Sequence, residues 1–296
     1  MKVLIIGSEG FVGNNLVDGL SQNHEIICAD QLENSTHQNY HQLDVTNLDE
    51  VQKIVNNVDV VIDLAAHSLV SSLDGSITNA KVNIIGLLNI LESCRKNQIK
   101  KIIFTSASSL VGEPKTFKVS EEHEATPKTA YGITKLTSEH YLRLYSELYG
   151  LKYTVFRFFN IYGPFQKNGL IPTLYNRIIS NQPLTIFGKG DQIRDYVFIK
   201  DIIEYFEKGI SSSDSDNLVL NMGTGEGTTI KELIKVLSDI MQVTPIIDNK
   251  PERPGEIGNF VADTKKLNQI FGTIPSTQID IGLSETITWL KENTGK

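Results

Sequence analysis

Apolar positions in the first half of the chain follow two alternating rhythms. Short β-rich runs fall at residues 3–6, 25–29, 58–64, 101–104 and 153–156. Between several of them lie longer stretches with the three-and-four spacing of one helix face. Ile77, Ala80, Ile84, Leu87, Leu88, Leu91 and Cys94 make one such stripe. Ala130, Ile133, Leu136, Tyr141, Leu144, Tyr145 and Leu148 make another, which Gly150 ends. Strand, helix, strand in repetition predicts an α/β fold with a doubly wound parallel sheet, helices on both faces. After about Asn160 the pattern changes, and glycine, proline and asparagine recur at Gly163-Pro164, Asn168-Gly169, Gly188-Lys189-Gly190, residues 223–227 and residues 251–255. That predicts a smaller C-terminal substrate domain made mostly of loops. The expected division is residues 1–160, with a returning segment at about 193–222, against residues 161–192 and 223–296. No internal repeat is present, and the serine-rich residues 211–216 read as a solvated loop.

Composition narrows the class. A chain of 296 residues with 40 % hydrophobic and 21 % charged residues can fill a core beneath an ordinary polar surface. Its net charge of −7 argues against a nonspecific nucleic-acid binder, which needs a basic face. Cys28 and Cys94 sit in apolar stretches with no metal-like spacing, as expected of buried thiols in a reducing cytoplasm. The run Lys2-Val3-Leu4-Ile5-Ile6 is too short for a signal segment, and no apolar run approaches the ~20 residues that span a bilayer. The expectation is a cytoplasmic protein with neither nucleic acid nor membrane as a partner.

Candidate chemistry begins at Gly7-Ser8-Glu9-Gly10-Phe11-Val12-Gly13, which follows the first strand and opens a helix. Glycines at these steps allow a tight turn, close backbone approach to a pyrophosphate and close helix packing, and the helix start offers free amides. Gly7, Gly10, Phe11, Val12 and Gly13 are therefore expected to cradle a dinucleotide on a Rossmann-type sheet. Asp30 ends the second strand, where a carboxylate accepts bonds from the adenosine ribose hydroxyls. No lysine or arginine lies between Asp30 and Asp49 to welcome a 2′-phosphate, so NAD is expected rather than NADP. Asp44 and Val45 are candidates for the adenine, and Leu64, Ala65 and Ala66 end a strand where small residues let the cofactor lie close. Tyr131-Gly132-Ile133-Thr134-Lys135 puts a phenol and an ammonium one helical turn apart. The lysine can lower the proton affinity of the tyrosine and hold the nicotinamide ribose, leaving the phenolic oxygen as an acid/base for a hydroxyl.

With these motifs the chain resembles the extended short-chain dehydrogenase/reductases, in particular the NAD-dependent epimerase/dehydratase family typified by UDP-glucose 4-epimerase. Further motifs that carry the resemblance are Asn83-x-x-Gly86, Phe104-Thr105-Ser106, Arg157 to Pro164, Pro183 to Gly188, Gln192 to Tyr196, Asn221 to Gly225 and Arg253-Pro254-Gly255-Glu256. The resemblance implies a homodimer, built on helices near residues 77–94 and 130–148. It implies NAD beside Asn83 and Thr105, and a nucleotide-diphosphate sugar as substrate. Arg194 and Arg253 would clamp the diphosphate, with Asn160 and the amides at Gly169 and Leu170 adding contacts. Thr185 and Phe187 would meet the uracil. Phe260, just before Val261-Ala262-Asp263, would flank the carbon-2 substituent and favour UDP-glucose and UDP-galactose over N-acetylated sugars.

One position departs from the family. Ungapped alignment puts Ala107 where a serine or threonine bonds the reacting sugar hydroxyl. Ser106, Ser108 or a water then substitutes, or the chemistry differs. The Asp-Glu pair of 4,6-dehydratases falls on Ser108-Ser109, which supports that reaction poorly. The favoured expectation is 4-epimerisation through a transient 4-keto sugar. Its rivals are a reductase, dehydratase or decarboxylase of the same family, and a non-catalytic NAD- or sugar-nucleotide-binding regulator.

Overall fold

Residues 3–6 carry apolar side chains in both directions, which suits a strand buried on both faces. In the computed structural model, which describes residues 1–68, 75–252 and 258–293, that strand lies inside a parallel sheet. The first half of the chain runs β1 (Lys2–Ile6), α1 (Phe11–Leu20), β2 (Glu25–Asp30), β3 (Tyr40–Gln42), α2 (Leu48–Ile54), β4 (Val60–Asp63) and α3 (Ser76–Ala80). A π-helical stretch over Lys81–Gly86 leads into α4 (Leu87–Lys96), followed by β5 (Lys101–Ala107), a 3-10 turn at Ser108–Leu110, β6 (Lys118–Val119) and α5 (Ala130–Tyr149). Then come β7 (Lys152–Phe158), β8 (Asn160–Tyr162), α6 (Leu170–Ile179), β9 (Leu184–Phe187), β10 (Ile193–Arg194), β11 (Tyr196–Phe198) and α7 (Ile199–Ser211). The chain finishes with β12 (Leu218–Met222), β13 (Thr228–Thr229), α8 (Ile230–Met241), β14 (Ile247–Lys250), β15 (Asn259–Ala262), α9 (Lys265–Phe271) and α10 (Ile279–Asn293).

The main sheet has seven parallel strands in the order β12-β7-β5-β4-β1-β2-β3. Alternate residues of each strand feed two cores. Val3, Ile5, Ile62, Ile103 and Phe156 pack against Leu16, Ile202 and Phe206 of α1 and α7. Leu4, Ile6, Val61, Ile102 and Phe104 pack against Val51, Ile90, Leu91 and Leu142 of α2, α4 and α5. A smaller set of strands, β13-β10-β15-β6 together with the pairs β11-β8 and β14-β9, takes in β6 of the first half and the strands that follow β7 other than β12.

One expectation from the periodicity needs correction. The second half is not mostly loops, for α8 and α10 are regular helices of 12 and 15 residues. Thr229 and Glu232 close a capping box at the start of α8, a signal present in the sequence. The two apolar stripes divide between the interior and the surface. Ile77 is 75 % exposed, Ile133 53 % and Leu148 61 %. The buried face of α3 and the π-helical stretch is held instead by Asn79 and Asn83, and that of α5 by Thr134, Lys135, Ser138 and Glu139. Polar residues there are satisfied by each other, which leaves the branched apolar ones outside.

Candidate active site

The turn after β1 is shaped by its glycines. Gly7 has φ +89°, and a Cβ on Gly13 would stand 2.2 Å from the Gly7 carbonyl oxygen. The helix that follows has Gly10 at its N-cap and no side chain capping it, so its first amides are open to a ligand. Ser8 is buried with its hydroxyl unpartnered in the same turn. A cleft of about 340 Å³ runs past Gly7 and Gly10 and is lined by Asp30, Asp44, Val45, Leu64, Ala65 and Ala66. These residues fit a dinucleotide: a cradle too tight for side chains, open amides for phosphates, and a carboxylate where a ribose would lie. Phe11 and Val12 turn their side chains into the core beneath, so only their backbone can reach the cleft.

Farther along the sheet, α5 begins at Ala130, and the Thr129 hydroxyl caps it by accepting from the Gly132 amide at 3.0 Å. Lys135 is buried, donates from Nζ to the Thr105 carbonyl at 2.7 Å, and lies 4.5 Å from the centre of the Phe104 ring. Its Nζ is 5.6 Å from the centre of the Tyr131 ring. Burial pulls the Lys135 ammonium down to about 8, against the opposing charges of Asp63 and Glu139. Burial pushes the Tyr131 phenol up to about 12.

Sequence reasoning missed Asp63. It ends β4 on the face covered by α5, is 2 % exposed, and accepts the Ala65 amide at 3.0 Å. Burial raises its carboxyl to about 6, opposed by the Lys135 charge. Glu139 is already held by Arg157 through bonds of 2.9 and 2.7 Å, so Asp63 is the carboxylate left to balance the lysine. A charged residue closing an otherwise apolar strand was the available signal. Asn83 donates to the Thr134 hydroxyl at 3.0 Å and accepts the His67 amide at 2.7 Å. Asn79 accepts from the same hydroxyl at 3.0 Å, so these two asparagines tie α3 and the π-helical stretch to the helix of Tyr131 and Lys135.

Around Ala107, the Ser106 hydroxyl is buried and unpartnered at the end of β5. Ser108, named with it from sequence, starts the 3-10 turn. The structure adds Ser109, whose hydroxyl is also buried without a partner. Its carbonyl oxygen would lie 2.8 Å from a Cβ on Gly132, the residue after Tyr131.

A second cleft, of about 600 Å³, is lined by Asn160, Gly169, Leu170, Thr185, Phe187 and Arg194. Arg194 donates to the Ile193 and Gly258 carbonyls at 2.9 and 3.3 Å. Asn160 donates to the Asp195 carbonyl at 3.1 Å. Sequence reasoning did not single out Arg177, which lines this cleft and reaches the Pro183 carbonyl at 2.8 Å and the Thr185 hydroxyl at 3.3 Å. Asp195 anchors the floor, accepting from the Thr224, Gly225 and Ala262 amides at 2.8, 2.9 and 3.1 Å. Arg253 lies outside the described residues. Phe260 is not along the cleft lining: its ring is buried among Leu110, Val111 and Val119, 5.3 Å from the ring of Phe159. Phe159, by contrast, does line the cleft.

Comparison with known proteins agrees with this geometry. The model of the NAD-dependent epimerase/dehydratase family matches residues 3–223. A UDP-glucose 4-epimerase of Thermotoga maritima, solved with UDP-glucose, is 31 % identical, with TM-score 0.89 and 99 % of each chain covered. A UDP-N-acetylglucosamine 4-epimerase of Methanobrevibacter ruminantium, solved with UDP-N-acetylmuramic acid, is 29 % identical, with TM-score 0.91 and 99 % of each chain covered. A UDP-glucuronic acid 4-epimerase of Bacillus cereus, solved with UDP-glucuronic acid and NAD, is 27 % identical, with TM-score 0.91 and 99 % of each chain covered. The chain is an enzyme of the NAD-dependent epimerase/dehydratase family, with NAD as its cofactor.

Proposed function

We propose that this enzyme is a UDP-hexose 4-epimerase that works through a transient 4-keto sugar. The observation that carries the reading is the Tyr131–Lys135 pair beside the carboxyl end of β5, with the Lys135 ammonium on the Thr105 carbonyl. In this reading residues 1–160 with about 193–222 hold NAD, and residues 161–192 with 223–296 hold the sugar nucleotide. Bound NAD supplies the hydride acceptor and the returning donor. The Tyr131 oxygen takes the proton of the carbon-4 hydroxyl and returns it after the keto sugar has turned over. Lys135 favours the phenolate by its charge and holds the nicotinamide ribose. Ser106 and Ser109, each with an unpartnered hydroxyl, stand in for the missing side-chain oxygen at Ala107. Arg194 and Arg253 clamp the diphosphate, aided by Asn160, Gly169 and Leu170. Thr185 and Phe187 meet the uracil, and Arg177 steadies Thr185. The reading also takes the enzyme to be a cytoplasmic homodimer.

The test is incubation with a panel of UDP-, dTDP- and GDP-sugars, with products followed by NMR and mass spectrometry. Inversion at carbon 4 at constant mass, without net NADH, is expected for UDP-glucose and UDP-galactose. A change of mass or stoichiometric NADH would instead indicate a reductase, dehydratase or decarboxylase. Because Phe260 stands behind Phe159, its influence on the carbon-2 substituent passes through that ring. Phe159→Leu should alter the kcat/KM ratio of UDP-glucose to UDP-N-acetylglucosamine more than Phe260→Leu does. The opposite order would show Phe260 itself at the sugar.

A further inference from the structure

Glu9 lies inside the glycine turn, and its charge is unusual for a place that must receive a pyrophosphate. Its backbone amide donates to Asp30 Oδ2 at 3.1 Å, so the turn and the end of β2 are in direct contact. Its carboxylate accepts the Ser35 hydroxyl at 2.6 Å and stands 3.5 Å from His37 Nε2. The side chain is only 14 % exposed, which fixes the charge in place. Glu9 and Asp30 line the same cleft, together with Gln31 and Leu32. From residue 3 to residue 52 the chain has no lysine or arginine.

We propose that Glu9 is a second cofactor-specificity residue, whose carboxylate joins that of Asp30 to make the ribose end of the cleft doubly anionic and to exclude a 2′-phosphate. A phosphate monoester brings a charge of about −1.5 to −2 at neutral pH. Two carboxylates in a partly desolvated cleft repel it more strongly than they would in water, while the uncharged ribose hydroxyls of NAD meet no such barrier. Discrimination by repulsion leaves the accepted ligand free to bond Asp30. Ser35 and His37 hold the Glu9 carboxylate against the loop after β2, which keeps it clear of the pyrophosphate path at the helix start. A charge-only substitution separates this role from a structural one, since glutamine still accepts the Ser35 bond.

The experiment equilibrates purified protein with an equimolar mixture of NAD and NADP, then denatures it and quantifies the bound nucleotides by mass spectrometry. The readout involves no turnover, so it stands whatever the sugar substrate proves to be. Wild-type protein should retain NAD in large excess, and Asp30→Asn should lower that ratio. Glu9→Gln should lower it about tenfold while total nucleotide per chain is kept, and combining the two should lower it further. An unchanged ratio in Glu9→Gln, or an equal loss of both nucleotides, overturns the proposal. If Glu9→Gln does not fold, Glu9→Ala is judged by the same ratio.

Discussion

Tyr131 and Lys135 are driven in opposite directions by the same burial, the phenol up to about 12 and the ammonium down to about 8, so each is pushed toward its neutral form. A proton-transfer pair needs the reverse, and Asp63 is what resists the drift on the lysine side. Tyr131→Phe removes only the transferring oxygen, so turnover should fall at least a hundredfold while NAD stays bound. Near-wild-type rates in a coupled assay would refute the assignment. Lys135→Ala should lower both turnover and NAD retention. Asp63→Asn removes the charge that keeps Lys135 protonated, so the ammonium loses its proton at a lower pH. The alkaline limb of the kcat–pH profile is expected near 8, where Lys135 loses its proton, and in this variant it should move toward neutrality. The charged Asp63–Lys135 pair exists only between about 6, below which Asp63 takes a proton, and about 8. An unmoved alkaline limb would remove Asp63 from the mechanism. The Tyr131 and Lys135 pair was legible because four residues on a helix are neighbours in space as well as in sequence. Asp63, Ser109 and Arg177 were not, because what makes them notable is burial or a partner supplied by another element.

Between elements, Arg157 of β7 joins Glu139 of α5 in a buried two-pronged pair whose third guanidinium contact is the Glu121 carbonyl at 2.9 Å. It fastens the helix of Tyr131 to the sheet. Arg157→Met leaves a carboxylate buried without its partner, which costs about 3–5 kcal/mol. The melting temperature should drop, and Arg157→Met combined with Glu139→Leu should recover much of the loss. A single variant as stable as wild type would show that the pair carries no such burden. Sequence pattern gave the helices themselves, since the three-and-four spacing is local. It left open which way they face, and the structure shows Asn79, Asn83 and Thr134 burying their polar groups by bonding one another while Ile77 and Ile133 stand outward. The second half was harder to read for a related reason. Its strands are two to five residues long and pair with distant segments, such as β15 with β6 and β10, leaving no periodicity to detect.

At the scale of the whole molecule, part of the exposed apolar surface falls on two neighbouring helical segments. Ile77 and Ile85 stand exposed on one, and Ile133, Leu144 and Leu148 on the other. Apolar side chains clustered on adjoining helices suit pairing with a second copy. Ile133→Glu with Leu148→Glu should convert a dimer to a monomer in light scattering, and a wild-type chain that is monomeric at every concentration would reject the pairing. The π-helical stretch at Lys81–Gly86 carries both Ile85 of this outer face and Asn83, which bonds Thr134. A π turn holds more residues than an α turn, so removing one residue, Ile84 for example, can restore a regular helix while the segments on either side keep their faces. Ile77 would then stay on the surface patch and Asn79 on Thr134, and only side chains inside the turn would be re-aimed. The shortened chain should melt within a few degrees of wild type by circular dichroism, and a large fall would contradict this. One widened turn thus lets a residue be gained or lost within this segment while the surfaces before and after it stay where they are.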